Sequence, residues 1–346
     1  MGRIKNSIGI ALLAGAVLAT ASACGGAASA TGSGQQTSPV AGASTGATAG
    51  SSAGASAGTS ASATPTTSPT PTHPSGPPLQ LDSITPASGT TVGVAMPISI
   101  VFTKAVATSA RKAIEQHLEV TTSTPVTGAW HWFSSQRVDW RPQNYWKPGT
   151  KVQVVADLTD VGDGNGRYGT HSYTHDFTIG SDTETTVSVP GHSMKVYRNG
   201  ALVKTMPIDA GSPSFPSWDG TMAITDKAKE VRMTSCSVGI ACDKSDPNYY
   251  DLTLPWDVHL TFSGTYIHYS TGDPYPGHSY GSHGCVHLSL ANAEWYYNYV
   301  KQGDPVTITG SPRGKAAGDN GYAAFNLSWS QWLAGSAAGA TTTAAL

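Results

Sequence analysis

Between Gly25 and Leu79 the chain carries no Asp, Glu, Lys or Arg, and almost every residue is Ala, Gly, Ser, Thr or Pro. Such a segment has no apolar surface to bury and stays out of any core. It confines the folded part to the residues after Leu79. All 22 acidic residues and 18 of the 20 basic ones lie from Asp82 onward, an excess of four negative charges. Phosphate binding needs clustered Lys and Arg, so this balance excludes a nucleic-acid partner held by a basic surface. It also excludes an acidic tail.

The N-terminus points to export. Arg3 and Lys5 precede an apolar run from Ile8 to Leu18, and Ala21-Ser22-Ala23 provide the small residues of a cleavage site. A run of about 11 residues is too short to span a bilayer. Cys24 comes next, so the pattern resembles a bacterial lipoprotein signal in which the cysteine is lipidated and becomes the mature N-terminus. Random-coil scaling of the charge-free stretch gives an end-to-end distance of about 40 Å. Its Pro-Thr repeats from Thr64 to Pro78 favour polyproline-like geometry. The segment reads as a tether from a lipid anchor in the cell membrane.

Three cysteines remain. Outside the cytoplasm free thiols are unusual. Cys236 and Cys242 are separated by five residues in a Ser/Gly-containing segment, a spacing that closes a small disulfide loop. Cys285 is left over, either for an interchain disulfide or as a reactive thiol.

From Pro86 to Ile179 short β-rich runs alternate with Gly, Pro and Asn, among them Ile98–Phe102, Arg137–Trp140 and Lys151–Ala156. That spacing predicts an antiparallel sandwich with one helix, Ser109–Leu118. Trp130, Trp132, Trp140 and Trp146 read as core, and His131, His171 and His175 as surface or strand residues. A second β-rich region begins near Thr185. Asn199-Gly200 between apolar runs predicts a hairpin, and further strands are expected at Gly220–Thr225, Val258–Phe262, Gly264–Tyr269 and Pro305–Thr309. One helix is predicted over Leu290–Gln302, with Ser289 as N-cap, Gly303 at its end, and Ala291, Trp295 and Tyr299 as its packing face.

Between Ile267 and Leu288 lie His268, His278, Ser282, His283, Cys285 and His287, interleaved with four glycines. A cysteine nucleophile acts as thiolate, and an imidazole beside it lowers its pKa and returns the proton to a leaving amine. Gly284 lets a substrate approach the backbone and turns N–H groups toward a developing oxyanion. Chemistry alone does not choose the histidine. His278 sits in a Pro/Gly-rich loop and reads as exposed, and Asp273 and Asp304 read as turn residues. Zinc binding by His268, His283, Cys285 and His287 is a competing reading, but 283, 285 and 287 lack the usual paired spacing. A non-catalytic wall-binding lipoprotein is another.

Ser282-His283-Gly284-Cys285-Val286, preceded by Tyr266-Ile267-His268, resembles the signature of the L,D-transpeptidases with a YkuD-type catalytic domain. The resemblance extends through Trp295-Tyr296-Tyr297 and Gly303-Asp304-Pro305-Val306. It continues into Asn326–Ala334 with Trp329, Gln331 and Trp332, and back into Trp140-Arg141-Pro142 and Tyr145-Trp146. It implies a mainly β chain: an immunoglobulin-like β-sandwich, then a YkuD-type catalytic domain with one main helix, then a small C-terminal subdomain. The corresponding segments are 1–23 (signal), 24–79 (lipidated cysteine and tether), 80–180 (spacer), 181–310 (catalytic) and 311–346 (C-terminal subdomain and tail).

For the site the resemblance implies Cys285 as nucleophile and His268 as base, with the Tyr269 carbonyl orienting the imidazole. It implies His283 as a donor beside the thiol, and the Gly284 and Cys285 N–H groups as oxyanion hole. Tyr250 matches the tyrosine over the acyl pocket, with Tyr249 a close competitor, and Met233, Ser263 and Ser282 match substrate-side positions. His287 stands where the family commonly has Asn or Arg, and the loop Tyr269–Gly281 is short for the family. The implied partners are peptidoglycan stem peptides as donor and acceptor, with carbapenems as covalent inhibitors and no cofactor or metal. The implied reaction is a 3→3 cross-link with release of D-Ala, or, with water as acceptor, an L,D-carboxypeptidase reaction.

Overall fold

The computed structural model describes residues 73–346; the signal segment, Cys24 and most of the tether lie outside the described residues. Among the described residues no helix is long and apolar enough to cross a membrane.

The first folded layer pair is a sandwich of two five-stranded sheets. One contains Leu81–Thr85, Ile98–Phe102, Arg137–Pro142 and Thr127–Trp132, and the other Leu118–Thr122, Lys151–Asp157, Ser172–Ile179 and Thr91–Val92. Strand Lys151–Asp157 shows the cause, since Val152, Val154 and Ala156 are buried while their neighbours point outward. Trp130, Trp132, Trp140 and Trp146 are all core residues. Each of three indoles finds an acceptor inside: Trp130 Nε1 donates to Leu118 O, Trp132 Nε1 to Glu115 Oε1 and Trp146 Nε1 to Met96 O. The sandwich helix is shorter than expected, a 3-10 turn at Thr108–Ala110 followed by Arg111–Gln116.

The chain's end returns to this sandwich. Thr341–Thr342 pairs with Thr127–Gly128, and Ala344–Ala345 pairs with Thr121–Thr122, so the fifth strand of each sheet is C-terminal. Helix Trp329–Ala334 starts with a capping box between Ser328 and Gln331. It buries Trp332, whose Nε1 donates to Ala129 O at 2.9 Å. Arg141 lies buried among the rings of Phe325, Trp329 and Trp332, its guanidinium also donating to Leu327 O.

The second layer pair carries the cysteine. A five-stranded sheet runs Ala201–Pro207, Ser193–Arg198, Thr183–Ser188, Pro305–Thr309, Gly220–Ala223, and a four-stranded sheet runs Asp226–Thr234, Asp251–Thr261, Thr265–Tyr269, Val286–Leu288. Asn199 and Gly200 close the expected hairpin with φ of 49° and 78°, the two left-handed positions of such a turn. The apolar faces of these strands form one core that includes Val187, Val196, Met222, Val258, Ile267, Val286 and Ile308.

The main helix differs from expectation at its end and in part of its face. It spans Leu290–Tyr299, because Val300 turns extended (φ −90°, ψ 164°) and sinks into the core. Ser289 occupies the N-cap position without a side-chain cap bond. The buried stripe is Ala293 and Tyr296, with Tyr296 Oη donating to Thr185 Oγ1. Ala291 is exposed, whereas Trp295 and Tyr299 stack on each other, half-buried against the same core. Lys204 lies over the Trp295 ring and Arg198 over Tyr299, covering what the core leaves open.

Candidate active site

Strand pairing builds the site. Thr265–Tyr269 runs parallel to Val286–Leu288 in the register Ile267↔Val286 and His268↔His287, and antiparallel to Asp251–Thr261 with Val258↔Ile267. Val258, Ile267 and Val286 are fully buried in the core. Side chains alternate along a strand, so His268 and His287 stand together on the opposite face, with Cys285 one step earlier.

His268 Nδ1 donates to the Tyr269 carbonyl at 2.7 Å, which fixes the tautomer and leaves Nε2 with its lone pair. Burial drives the His268 imidazole down to about 3, with His287 adding to the effect. Burial pushes the Cys285 thiol up to about 12, against the pull of the Tyr266 N–H. Both shifts favour the neutral thiol and the neutral imidazole over a preformed thiolate–imidazolium pair. Desolvation of the anion outweighs its stabilisation by a neutral ring. The thiol donates to Gly264 O at 3.7 Å.

The Ser282–Cys285 turn has its own lock. Ser282 Oγ donates to Cys285 O at 2.6 Å and accepts from Gly284 N at 3.1 Å. Gly284 sits at φ 120°, a conformation open to glycine. Its N–H is engaged by Ser282. Of the two donors expected for an oxyanion, Cys285 N–H alone has no partner among the described residues. The His283 ring lies between Phe215 and Tyr250, with centroids 4.8 and 5.0 Å away.

Two cavities meet at the sulfur. The larger, about 430 Å³, includes Phe215, Met233, Tyr250, Ser263, His283, Cys285 and Arg313 in its lining. The smaller, about 280 Å³, includes Met233, Tyr250, His268, Asp273, Ser282, His283, Cys285 and His287. Every side chain expected at the site lines at least one of them, and Met233, Tyr250, His283 and Cys285 line both. Tyr249 lines neither. Burial, and then the Cys285 charge, pushes the Tyr250 phenol up to about 12. Cys236 and Cys242 are disulfide-bonded in the loop above the larger cavity, whose wall includes Ser237, Val238 and Ile240. His278 is exposed, as expected.

Other residues at the site were not anticipated. Asp273 does close a turn, its N–H donating to Ser270 O, but its carboxylate also lies 3.0 Å from His287 Nδ1. Asp209 is buried, and its carboxylate accepts from the N–H groups of Gly277, His278 and Ser279 and from Ser279 Oγ. Burial alone would raise this acid; the Ser279, Gly277 and His278 bonds overcome it and hold it below the usual carboxylate range. The one sequence signal was an acid between apolar residues, Ile208-Asp209-Ala210. Among the described residues no group of three or more His, Cys, Asp or Glu is arranged to hold a metal ion.

Residues 182–308 match the L,D-transpeptidase catalytic domain family, and residues 25–162 match a bacterial Ig domain. The chain is 36% identical over 242 residues to L,D-transpeptidase 1 of Mycobacterium tuberculosis, covering 68% of this chain and 88% of that protein. It is 34% identical over 262 residues to L,D-transpeptidase 2 of the same organism, covering 75% of this chain and 63%, under two thirds, of that longer relative. In three dimensions it resembles an L,D-transpeptidase solved in complex with imipenem, at 33% identity and a TM-score of 0.57, covering 67% of this chain and all of that one.

Proposed function

The chain belongs to the L,D-transpeptidase family, and from that premise we propose that it forms 3→3 peptidoglycan cross-links through a thioester on Cys285. As Cys285 Sγ attacks the carbonyl preceding the terminal D-Ala of a donor tetrapeptide, its proton passes to His268 Nε2. The tetrahedral oxyanion faces the Cys285 N–H. Its collapse breaks the C–N bond, and His268 returns the proton to the departing D-Ala amine. An amine of a neighbouring stem's diamino acid then attacks the thioester, loses its proton to His268, and regenerates the thiol.

The observation that carries this reading is the position of Cys285 where two separate cavities meet. A double displacement needs room for two peptides around one sulfur, whereas a carboxypeptidase needs one peptide and water. The same reading makes Cys285 the site of a carbapenem adduct. The basic, apolar and small residues before Cys24 support export and lipid anchoring, with the charge-free segment as tether to the wall.

The test is to incubate the purified chain with a disaccharide-tetrapeptide and follow products by mass spectrometry, with Cys285→Ala as control. Expected are released D-Ala, a cross-linked dimer and, with a carbapenem, a covalent mass increase, all absent in the variant. Hydrolysed tripeptide without dimer would establish the carboxypeptidase instead. Equal product from Cys285→Ala would refute the thiol mechanism.

A further inference from the structure

The two cavities differ in charge. No Asp or Glu lines the larger one, which holds two arginines, whereas the smaller one contains Asp273 and no Lys or Arg. The arginines are not equivalent. Arg232 is held by both oxygens of Asp251, at 2.8 and 2.7 Å. Arg313 has no carboxylate within ion-pair distance among the described residues.

Arg313 is nonetheless positioned. Its Cζ lies 3.8 Å from the centre of the Trp218 ring, and Nη1 donates to Pro216 O at 3.3 Å. Trp218 is anchored in turn, because its Nε1 donates to Ser263 Oγ at 3.1 Å and Asn320 Nδ2 donates to the same oxygen. A β-carbon placed on Gly284 would lie 3.6 Å from Arg313 Nη1, so the guanidinium borders the residue preceding Cys285. An arginine held over an indole, with most of its N–H donors free, is positioned for bidentate binding of a carboxylate.

We propose that Arg313, on its Trp218 shelf at the rim of the larger cavity, recognises a carboxylate of the donor stem peptide and so directs the anionic donor to that side of Cys285. This rests on the transpeptidase reading for the identity of the peptide. A tetrapeptide stem carries its carboxylates at the terminal D-Ala and within the chain, and the shared chemistry is a planar anion that matches the guanidinium fork. The bordering Gly284 places that anion near the end of the cavity where chemistry occurs.

The test reads binding apart from turnover. Calorimetry on the Cys285→Ala chain, with and without Arg313→Gln or Arg313→Lys, compares a stem tetrapeptide with its D-Ala amide and with its internal-carboxyl amide. Arg313→Gln is expected to weaken the free-acid peptide by about tenfold or more, the size of a charge-assisted hydrogen bond, with Arg313→Lys intermediate. The amide on which Arg313→Gln has no effect identifies the carboxylate. Equal weakening of acid and both amides, or no weakening, would overturn the assignment. D-Ala release by the wild-type chain is measured in parallel. Arg313-dependent binding without release would uphold the carboxylate assignment while refuting the transpeptidase reading.

Discussion

The His268 imidazole is fixed by the residue that follows it: Nδ1 donates to the Tyr269 carbonyl at 2.7 Å, so the ring's one basic nitrogen is Nε2. A backbone acceptor, unlike a carboxylate, adds no charge. Burial, and then His287, hold the ring's pKa far below its ordinary value, and the Tyr269 bond offsets only part of that.

Thiol reactivity therefore has a distinctive pH dependence. With Cys285 raised to about 12 by burial, the thiolate fraction grows about tenfold per pH unit throughout the neutral range. Iodoacetamide alkylation of Cys285, followed by intact mass, should rise with that slope from pH 6 to 9. Acylation by a carbapenem uses His268 as base and should stay nearly flat over the same range. An alkylation plateau above pH 7 would mean that the thiolate pre-exists.

Asp209 latches the loop in front of the smaller cavity by accepting three successive N–H bonds from Gly277, His278 and Ser279. Its folded pKa is depressed, so its contribution to stability is present above the unfolded carboxylate pKa and is lost as pH falls through the lower folded value. Hydrogen exchange should show these amides protected at pH 5 and released in stronger acid. Asp209→Ala should expose them at all pH values and cost on the order of 1–3 kcal/mol, since three partly buried donors lose their acceptor to water. Unchanged protection in the variant would refute the latch.

Asp257 behaves in the opposite sense. It is fully buried, neither carboxylate oxygen has a hydrogen-bond partner within bonding geometry, and burial pushes it up to about 7, an effect that the nearby Val231 N–H only partly offsets. A raised acid favours the fold below its unfolded pKa, and that advantage is lost as pH rises through the folded value. Asp257→Asn should leave the melting temperature nearly unchanged at pH 4 and raise it at pH 8. Removing the charge should also speed Cys285 alkylation at pH 8, because ionised Asp257 opposes the thiolate. A variant less stable than wild type at pH 8 would contradict this.

Some of the structure was legible from local pattern. Ile98–Phe102 and Pro305–Thr309 are strands with the expected limits, and Asn199-Gly200 closes its hairpin. The helix face was legible in part: Trp295 and Tyr299 do pack on the core at helical spacing, but Ala291 is exposed and the fully buried positions are Ala293 and Tyr296. Aromatic spacing found the half-buried rings and missed the fully buried positions beside them.

The candidate site divides in the same way. The residue types of Ser282–Cys285 are local and chemically constrained, so the sequence pointed to a thiol nucleophile among histidines, while the choice of His268 as base came only from the family resemblance. The tertiary structure decided which groups surround them. Asp209 meets Ser279 across 70 positions, and Arg313, lying over Trp218, borders Gly284 from a separate part of the chain. Desolvation likewise moves Cys285 and His268 toward their neutral forms, and how far it does so depends on the packing around them. A motif specifies which atoms react; the registers of distant strands determine the charges and contacts those atoms meet.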